Sequence, residues 1–342
     1  MKTVAIVQAR MGSTRLPDKV MKPIGGVPMI EVLLTRLARA RELDQIVVAT
    51  SVDARNEPLA DCVRQLGFAC VQGDEQDVMA RYLQAARAHQ ADVVVRITGD
   101  CPLVDPELVD HMIRGYRAAG VDYYSNVAPP SYPDGLDIEV FSLRALEQAS
   151  EQTDAAFDHE HVTPYLRESG HFRVGAEQNE QDLSGWRWTV DEPADLEVIR
   201  RVFAHFASDI HFSWQQVKAL QENSPALFTD NQTLIRNEGA TMGTGQKLWK
   251  RAKQVIPGGN MLLSKRAEMF LPEQWPAYFS KAKGCTVWDM DGKAYTDMCI
   301  MGVGTNILGY GHPEVDDAVR GTIDNGNMPT LNCPEEVWLA EK

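Results

Sequence analysis

Short Val/Ile-rich runs at Thr3–Val7, Gln45–Thr50, Ala69–Gln72 and Asp92–Ile97 alternate with segments of helical period at Met29–Ala40, Glu57–Leu66, Val78–His89 and Pro106–Ala119. Alternation at this spacing predicts an α/β fold in which helices cover a mainly parallel sheet. Val93-Val94-Val95, apolar on consecutive positions, suits a strand buried on both faces. Ligands of such folds sit beyond the C-terminal ends of the strands. Three polar strand exits are therefore expected to share one crevice: the loop after Val7, Thr50-Ser51-Val52-Asp53, and Thr98-Gly99-Asp100-Cys101-Pro102. Periodicity fades from Asn223 to Gly245, which reads as a linker between domains at 1–222 and 246–342. The second unit has a predicted helix from Gln246 to Val255 and a Pro257-Gly258-Gly259 turn. A hairpin follows, with Asp291-Gly292 between Thr286–Trp288 and Ala294–Met298, then a helix near Pro313–Thr322. The chain stops at Lys342 inside a helix predicted from near Pro334, so this unit is expected to be the front piece of a larger domain.

A formal charge of −14 argues against nucleic acid or an anionic membrane as partner, because the mean field repels both. No apolar run reaches the roughly 18 to 20 residues that span a bilayer, and no secretory leader pattern opens the chain, so a cytoplasmic protein is expected. The six cysteines lack CxxC spacing, which indicates neither a zinc site nor a disulfide scaffold.

Against that acidic background, Gln8-Ala9-Arg10-Met11-Gly12-Ser13-Thr14-Arg15-Leu16-Pro17-Asp18-Lys19 gathers three cations and a glycine at the first strand exit. Backbone N–H groups with convergent guanidinium and ammonium groups are how proteins hold phosphates. The string is neither GxxxxGK[ST] nor GxGxxG, and a solvated basic turn is the plain alternative. Asp100 and Asp191 lie where predicted strands give way to helices. Carboxylates there can hold Mg²⁺ or simply cap the helices. Asp77 and Arg81, four apart, read equally as a surface ion pair. Tyr132–Glu139 and Asp158-His159-Glu160-His161 are polar clusters that ordinary turn and helix-start chemistry also explains. The two histidines, at i and i+2, do not share a helix face, which weakens a zinc reading. No dedicated general base stands out.

Val7 to Val20, Thr98–Leu103, Tyr132–Phe141, His159–Tyr165 and Trp188–Leu196 occur in an order that closely resembles the SpsF-type branch of the CMP-sugar synthetases, a cytidylyltransferase family. The resemblance covers most of residues 1–220. It implies a Rossmann-like nucleotide-diphospho-sugar transferase architecture. It also implies a Mg²⁺-dependent transfer of CMP from CTP to the anomeric hydroxyl of an acidic sugar of the ulosonic type, with release of pyrophosphate in polysaccharide biosynthesis. Carried onto this chain, Arg10, Ser13, Arg15 and Lys19 are expected at the triphosphate, and Ala9, Gly12, Thr50, Ser51, Asp77 and Arg81 at the nucleotide. Asp137 and His161 fall on the sugar side, and Asp100 and Asp191 on the metal. Arg10, Arg15, Lys19 and Asp100 are the expected catalytic residues, and related enzymes suggest a homodimer.

Leu248–Gly259, Lys283–Lys293, Leu308–Val315 and Met328-Pro329-Thr330 resemble the N-terminal part of class III aminotransferases, which bind pyridoxal phosphate through a lysine beyond the end of this sequence. A truncated α+β segment is implied, without transamination of its own and with pyridoxal phosphate bound only in a longer parent. Lys281, Lys283 and Lys293 are not assigned that role. Two other functions stay open: a glycosyltransferase using a nucleotide sugar, for which no DxD-like motif sits at the end of the relevant strand, and a non-catalytic nucleotide-binding module of a longer aminotransferase.

Overall fold

The computed structural model describes residues 1–13, 15–207, 209–232, 234, 243–272, 274–299, 302, 304–326 and 332–342. Part of the expected linker (233 and 235–242), Thr14 of the basic loop, Val303 and Met328-Pro329-Thr330 lie outside the described residues. The chain divides into two units, Met1–Arg236 and Asn237–Lys342.

The first unit runs β1 (Thr3–Gln8), the small hairpin β2 (Pro23–Ile24) and β3 (Val27–Pro28), α1 (Met29–Leu37), β4 (Gln45–Ser51), α2 (Glu57–Gln65), β5 (Ala69–Gly73), α3 (Val78–Ala88), β6 (Val93–Thr98) and α4 (Pro106–Ala119). It continues with β7 (Tyr123–Ser125), β8 (Glu139–Ser142), α5 (Leu143–Gln152), α6 (Ala156–His161), α7 (Pro164–Glu168), β9 (Val174–Ala176), α8 (Pro193–His205) and α9 (Trp214–Asn223). The sheet order is β5-β4-β1-β6-β8-β7-β9, and among the described residues β8 alone runs against its neighbours.

The apolar runs explain this arrangement. In β1, Val4 and Ile6 enter one core with Met79 and Tyr82 of α3. Ala5 and Val7 enter the other, with Leu33 of α1, Leu59 of α2 and Met112 of α4. A strand with both faces buried belongs at the sheet's centre, where β1 pairs in parallel with β4 and β6.

Two local expectations fail. Trp188–Val190 is not a strand: Trp188 N–H donates to Asp134 O and Val190 N–H to Asp100 O, two separate segments, so no ladder forms beyond the single Asp134–Arg187 bridge. The presumed linker also begins too early. Residues 225–231 form a 3₁₀ helix of the first unit, because Phe228 is apolar enough to join the core, where it is 1% exposed.

In the second unit, α10 (Thr244–Val255) packs Trp249 and Ala252 on Ala267. Strands β10 (Phe279–Lys283), β11 (Thr286–Asp289) and β12 (Ala294–Thr296) form an antiparallel sheet. The Asp289 carboxylate closes the hairpin by accepting the N–H groups of Asp291 and Lys293 at 3.0 and 2.9 Å. Helices α11 (Pro313–Asp324) and α12 (Glu335–Ala340) complete it. Among the described residues no helix is long and apolar enough to cross a membrane.

Candidate active site

The exits of β1, β4 and β6 are tied together by their own backbone. Gly99 N–H donates to Gln8 O at 2.8 Å and Ala9 N–H to Ala49 O at 3.2 Å. A Cβ on Gly99 would stand 2.8 Å from Ala9 Cβ, so only glycine lets these exits meet this closely. Asn56 links the β4 exit to the basic loop: its Nδ2 donates to Ser51 Oγ and its Oδ1 accepts Met11 N–H, both at 2.8 Å. The loop folds back on itself, with Asp18 N–H on Met11 O and Leu16 N–H on Ser13 Oγ. Asp18 then adopts a left-handed conformation, φ 57°, and starts the short 3₁₀ turn that carries Lys19.

Lys19 Nζ lies 2.7 Å from Asp100 Oδ2 and 2.8 Å from Asp191 Oδ1. Arg15 reaches the same Asp191 oxygen at 3.0 Å and Glu192 at 3.8 Å. The two cations and two carboxylates expected to converge are thus in one ion-pair cluster. Asp100 and Asp191 meet because Val190 N–H and Thr189 Oγ1 both donate to the Asp100 carbonyl, at 2.8 and 3.3 Å. Burial opposes ionisation of Asp100, but the charge and hydrogen bond of Lys19, helped by Thr98, bring its pKa down to about 2. Burial likewise works against the Lys19 ammonium, and the two carboxylates outweigh it and raise its pKa.

Beneath this pair lies a residue that the motif reading passed over. Arg187, whose side chain is 5% exposed, holds Asp195 through Nε (2.8 Å) and Nη2 (3.0 Å), Asp134 through Nη1 (3.0 Å) and Asp191 Oδ2 through Nη2 (3.1 Å). Burial penalises the guanidinium, but the hydrogen bonds and charge of Asp195, then Asp134 and Asp191, raise its pKa. Asp195 also accepts the N–H groups of Asp191 and Glu192, both at 2.9 Å, and Asn231 Nδ2 donates to its Oδ1. Asp191 is therefore divided: its inner oxygen belongs to Arg187 and its outer oxygen faces Lys19 and Arg15. The one sequence signal was position, since Arg187 stands four residues before Asp191 and eight before Asp195.

The remaining expected residues are spread around the same strand ends. Thr50 and Ser51 are fully buried at the β4 exit. Thr50 Oγ1, Gln8 Oε1, and Nε and Nη2 of the buried Arg81 have no hydrogen-bond partner among the described residues. Such orphans are costly unless something polar reaches them. Burial lowers the Arg81 pKa, and the nearby Arg10 charge lowers it further. Arg81 is not paired with Asp77, which corrects the surface ion-pair reading. Its Nη1 donates to Asp74 O at 2.6 Å, while Asp77 caps α3 through Ala80 N–H and contacts His159 Nδ1 at 2.9 Å. Asp137 lies on the Asp100 side: the buried Cys101 thiol is pushed well above its usual pKa by burial first, then by the charges of Asp100, Asp137 and Asp134. His161, on α6, packs against the Phe157 ring, with centroids 4.5 Å apart.

Among the described residues, ion pairs connect Arg15, Lys19 and Arg187 with Asp100, Asp134, Asp191, Glu192 and Asp195. Paired carboxylates are hard oxygen donors that fit Mg²⁺, which Asp100 and Asp191 would hold. Among the described residues no third His, Cys, Asp or Glu joins them as a metal-binding group, and Mg²⁺ commonly fills its remaining positions with water and substrate phosphate oxygens.

A parallel-centred α/β sheet whose strand exits carry a basic loop over paired carboxylates defines a nucleotide-dependent transferase. Residues 4–225 match the family described as Cytidylyltransferase. The chain belongs to that family, and it is a nucleotidyltransferase enzyme. It is 31% identical to the spore coat polysaccharide biosynthesis protein SpsF of Bacillus subtilis over 241 residues, 66% of this chain and 97% of that protein. A stretch of 118 residues, 34% of this chain, is 35% identical to 45% of a 3-deoxy-manno-octulosonate cytidylyltransferase of Trichlorobacter lovleyi. The solved structure of a cytidylyltransferase from Leptospira borgpetersenii superposes with a TM-score of 0.65 at 30% identity, covering 69% of this chain and 99% of that one.

Proposed function

We propose that the first unit transfers CMP from Mg²⁺-bound CTP to the anomeric hydroxyl of an acidic sugar and releases pyrophosphate. The observation that carries this reading is the meeting of Arg15 and Lys19 with Asp100 and Asp191 at the strand exits. A triphosphate carries about four negative charges, and a divalent ion between it and the Asp100 and Asp191 carboxylates would offset their mutual repulsion. Bound at Asp100 and Asp191, Mg²⁺ would supply charge neutralisation to the departing pyrophosphate. Arg10, Arg15 and Lys19 bind the phosphates and so hold the α-phosphorus for in-line attack. Thr50 Oγ1 and the free donors of Arg81 offer polar partners to the nucleotide. Asp137 and His161 are assigned to the sugar acid, whose acidic character is supported by the octulosonate relative.

For the second unit we infer a segment of class III aminotransferase type, supported by its hairpin and its sequence likeness. Pyridoxal phosphate is assigned to no residue of this chain.

The test is pyrophosphate release with Mg²⁺, each of four nucleoside triphosphates, and a panel of ulosonic and neutral sugars. CTP together with an acidic sugar is the expected productive pair. Release with neutral sugars only would remove the sugar-acid assignment, and release with no pair would remove cytidylyl transfer.

A further inference from the structure

Asp100 and Asp191 are not simply waiting for a metal, because they already share a cation. The Lys19 side chain is 12% exposed and spends two of its donors on them, at 2.7 and 2.8 Å. Asp191 Oδ1 is contacted by Arg15 as well, and Asp191 Oδ2 by Arg187. A divalent ion that takes Asp100 Oδ2 and Asp191 Oδ1 must therefore move the ammonium away, against its attraction to both carboxylates. Arriving alone, the ion offers Lys19 nothing in exchange. Arriving with a triphosphate, it brings phosphate oxygens to which the ammonium can transfer its hydrogen bonds, so no charge is left unpaired.

We infer that Lys19 is a gate on the cation site: it holds Asp100 and Asp191 closed to a lone divalent ion and yields them only as its ammonium passes to the nucleotide's phosphates. Metal and nucleotide are then taken up together, and by linkage each raises the affinity of the other by the same factor. This inference rests on the reading of Asp100 and Asp191 as metal carboxylates. It gives Lys19 a role beyond phosphate binding, because it makes the lysine set the order in which the site fills.

The experiment is Mn²⁺ binding without nucleotide, followed by the loss of the free-ion electron paramagnetic resonance signal, for the wild type, Lys19→Met and Lys19→Met/Asp100→Asn. Removing two charge-assisted hydrogen bonds that compete with the ion should tighten Mn²⁺ binding in Lys19→Met by about ten- to hundredfold. The added Asp100→Asn change should abolish that gain, which ties it to this site. Equal or weaker Mn²⁺ binding by a folded Lys19→Met protein overturns the gate, as does a gain that survives Asp100→Asn. If Lys19→Met melts below assay temperature, Lys19→Gln, which keeps polarity without charge, carries the same expectation. Calorimetry of Mg·CTP on the wild type separates the two readings. A Mn²⁺ gain without CTP binding removes cytidylyl transfer and keeps the gate, whereas CTP binding without the gain removes the gate alone.

Discussion

Replacing Arg187 with methionine tests whether the acidic side of the site is held by one buried cation. Methionine reproduces only the aliphatic stem of arginine, so the packing of the stem is kept while the guanidinium and its four described hydrogen bonds to three carboxylates are lost. Asp195 is fully buried, and the Asp134 side chain is 8% exposed, so neither can recover its solvation in water. Removing one partner of a buried ion pair costs about 3–5 kcal/mol, since the remaining charge is stranded. For a domain of this size each kcal/mol lowers the melting temperature by about 2–4 °C, so a drop of about 6–20 °C is expected by circular dichroism at pH 7. The pH dependence follows from the sign of the shift. The hydrogen bonds and charge of Arg187 help hold the Asp195 pKa low against the opposing effect of burial. Stability from this contact is therefore present above the unfolded aspartate pKa of about 3.9 and is lost as pH falls toward the lower folded value. The gap between wild type and variant should narrow in acid. Arg187→Lys should recover only part of the loss, because an ammonium cannot reproduce the planar fork. A melting temperature lowered by less than about 2 °C, or a gap that widens toward pH 3, would refute the assignment of Arg187 as the buried hub.

Other expectations concern neighbouring residues. Asp100→Asn should lower pyrophosphate release at least about hundredfold while leaving the circular dichroism spectrum unchanged, and near-normal turnover would remove Asp100 from the mechanism. Gly135→Ala should destabilise by about 2 kcal/mol or more, because φ is +110° and the new Cβ would stand 2.6 Å from Thr189 N; unchanged urea unfolding would contradict this. His159 faces a carboxylate through Nδ1 and the Thr153 carbonyl through Nε2, both acceptors, and its pKa is raised, first by Asp77 and then by that carbonyl. Its stabilisation is complete below the unfolded histidine pKa of about 6.5 and fades as pH rises through the higher folded value. The melting-temperature advantage of wild type over His159→Gln should therefore be largest in mild acid, and an advantage that grows with pH would be the wrong sign.

Much of the first unit was legible locally. Its strands begin at Thr3, Gln45 and Ala69 as the apolar runs indicate, and α4 spans Pro106–Ala119 as the periodicity indicates. The basic loop was readable because three cations in a −14 chain are a local anomaly. Phe228 was missed because a lone aromatic in a polar stretch has no period from which to infer burial. Arg187 was missed because the backbone around it is irregular, its hydrogen bonds going to two distant segments. Asp77 and Arg81 obeyed the helical spacing of an ion pair, but Asp77 lies outside the helix as its cap and Arg81 turns inward.

The amino-acid order alone determined most strands and helices of the first unit and where the cations of the basic loop gather, since both depend on residues a few positions apart. Only the tertiary structure decided which carboxylates those charges meet. Lys19 joins Asp100 and Asp191 across 81 and 172 residues, and Arg187 takes the other oxygen of Asp191. Such pairings are set by how the buried strands align and by which polar groups must be satisfied once water is excluded, and no local pattern encodes either.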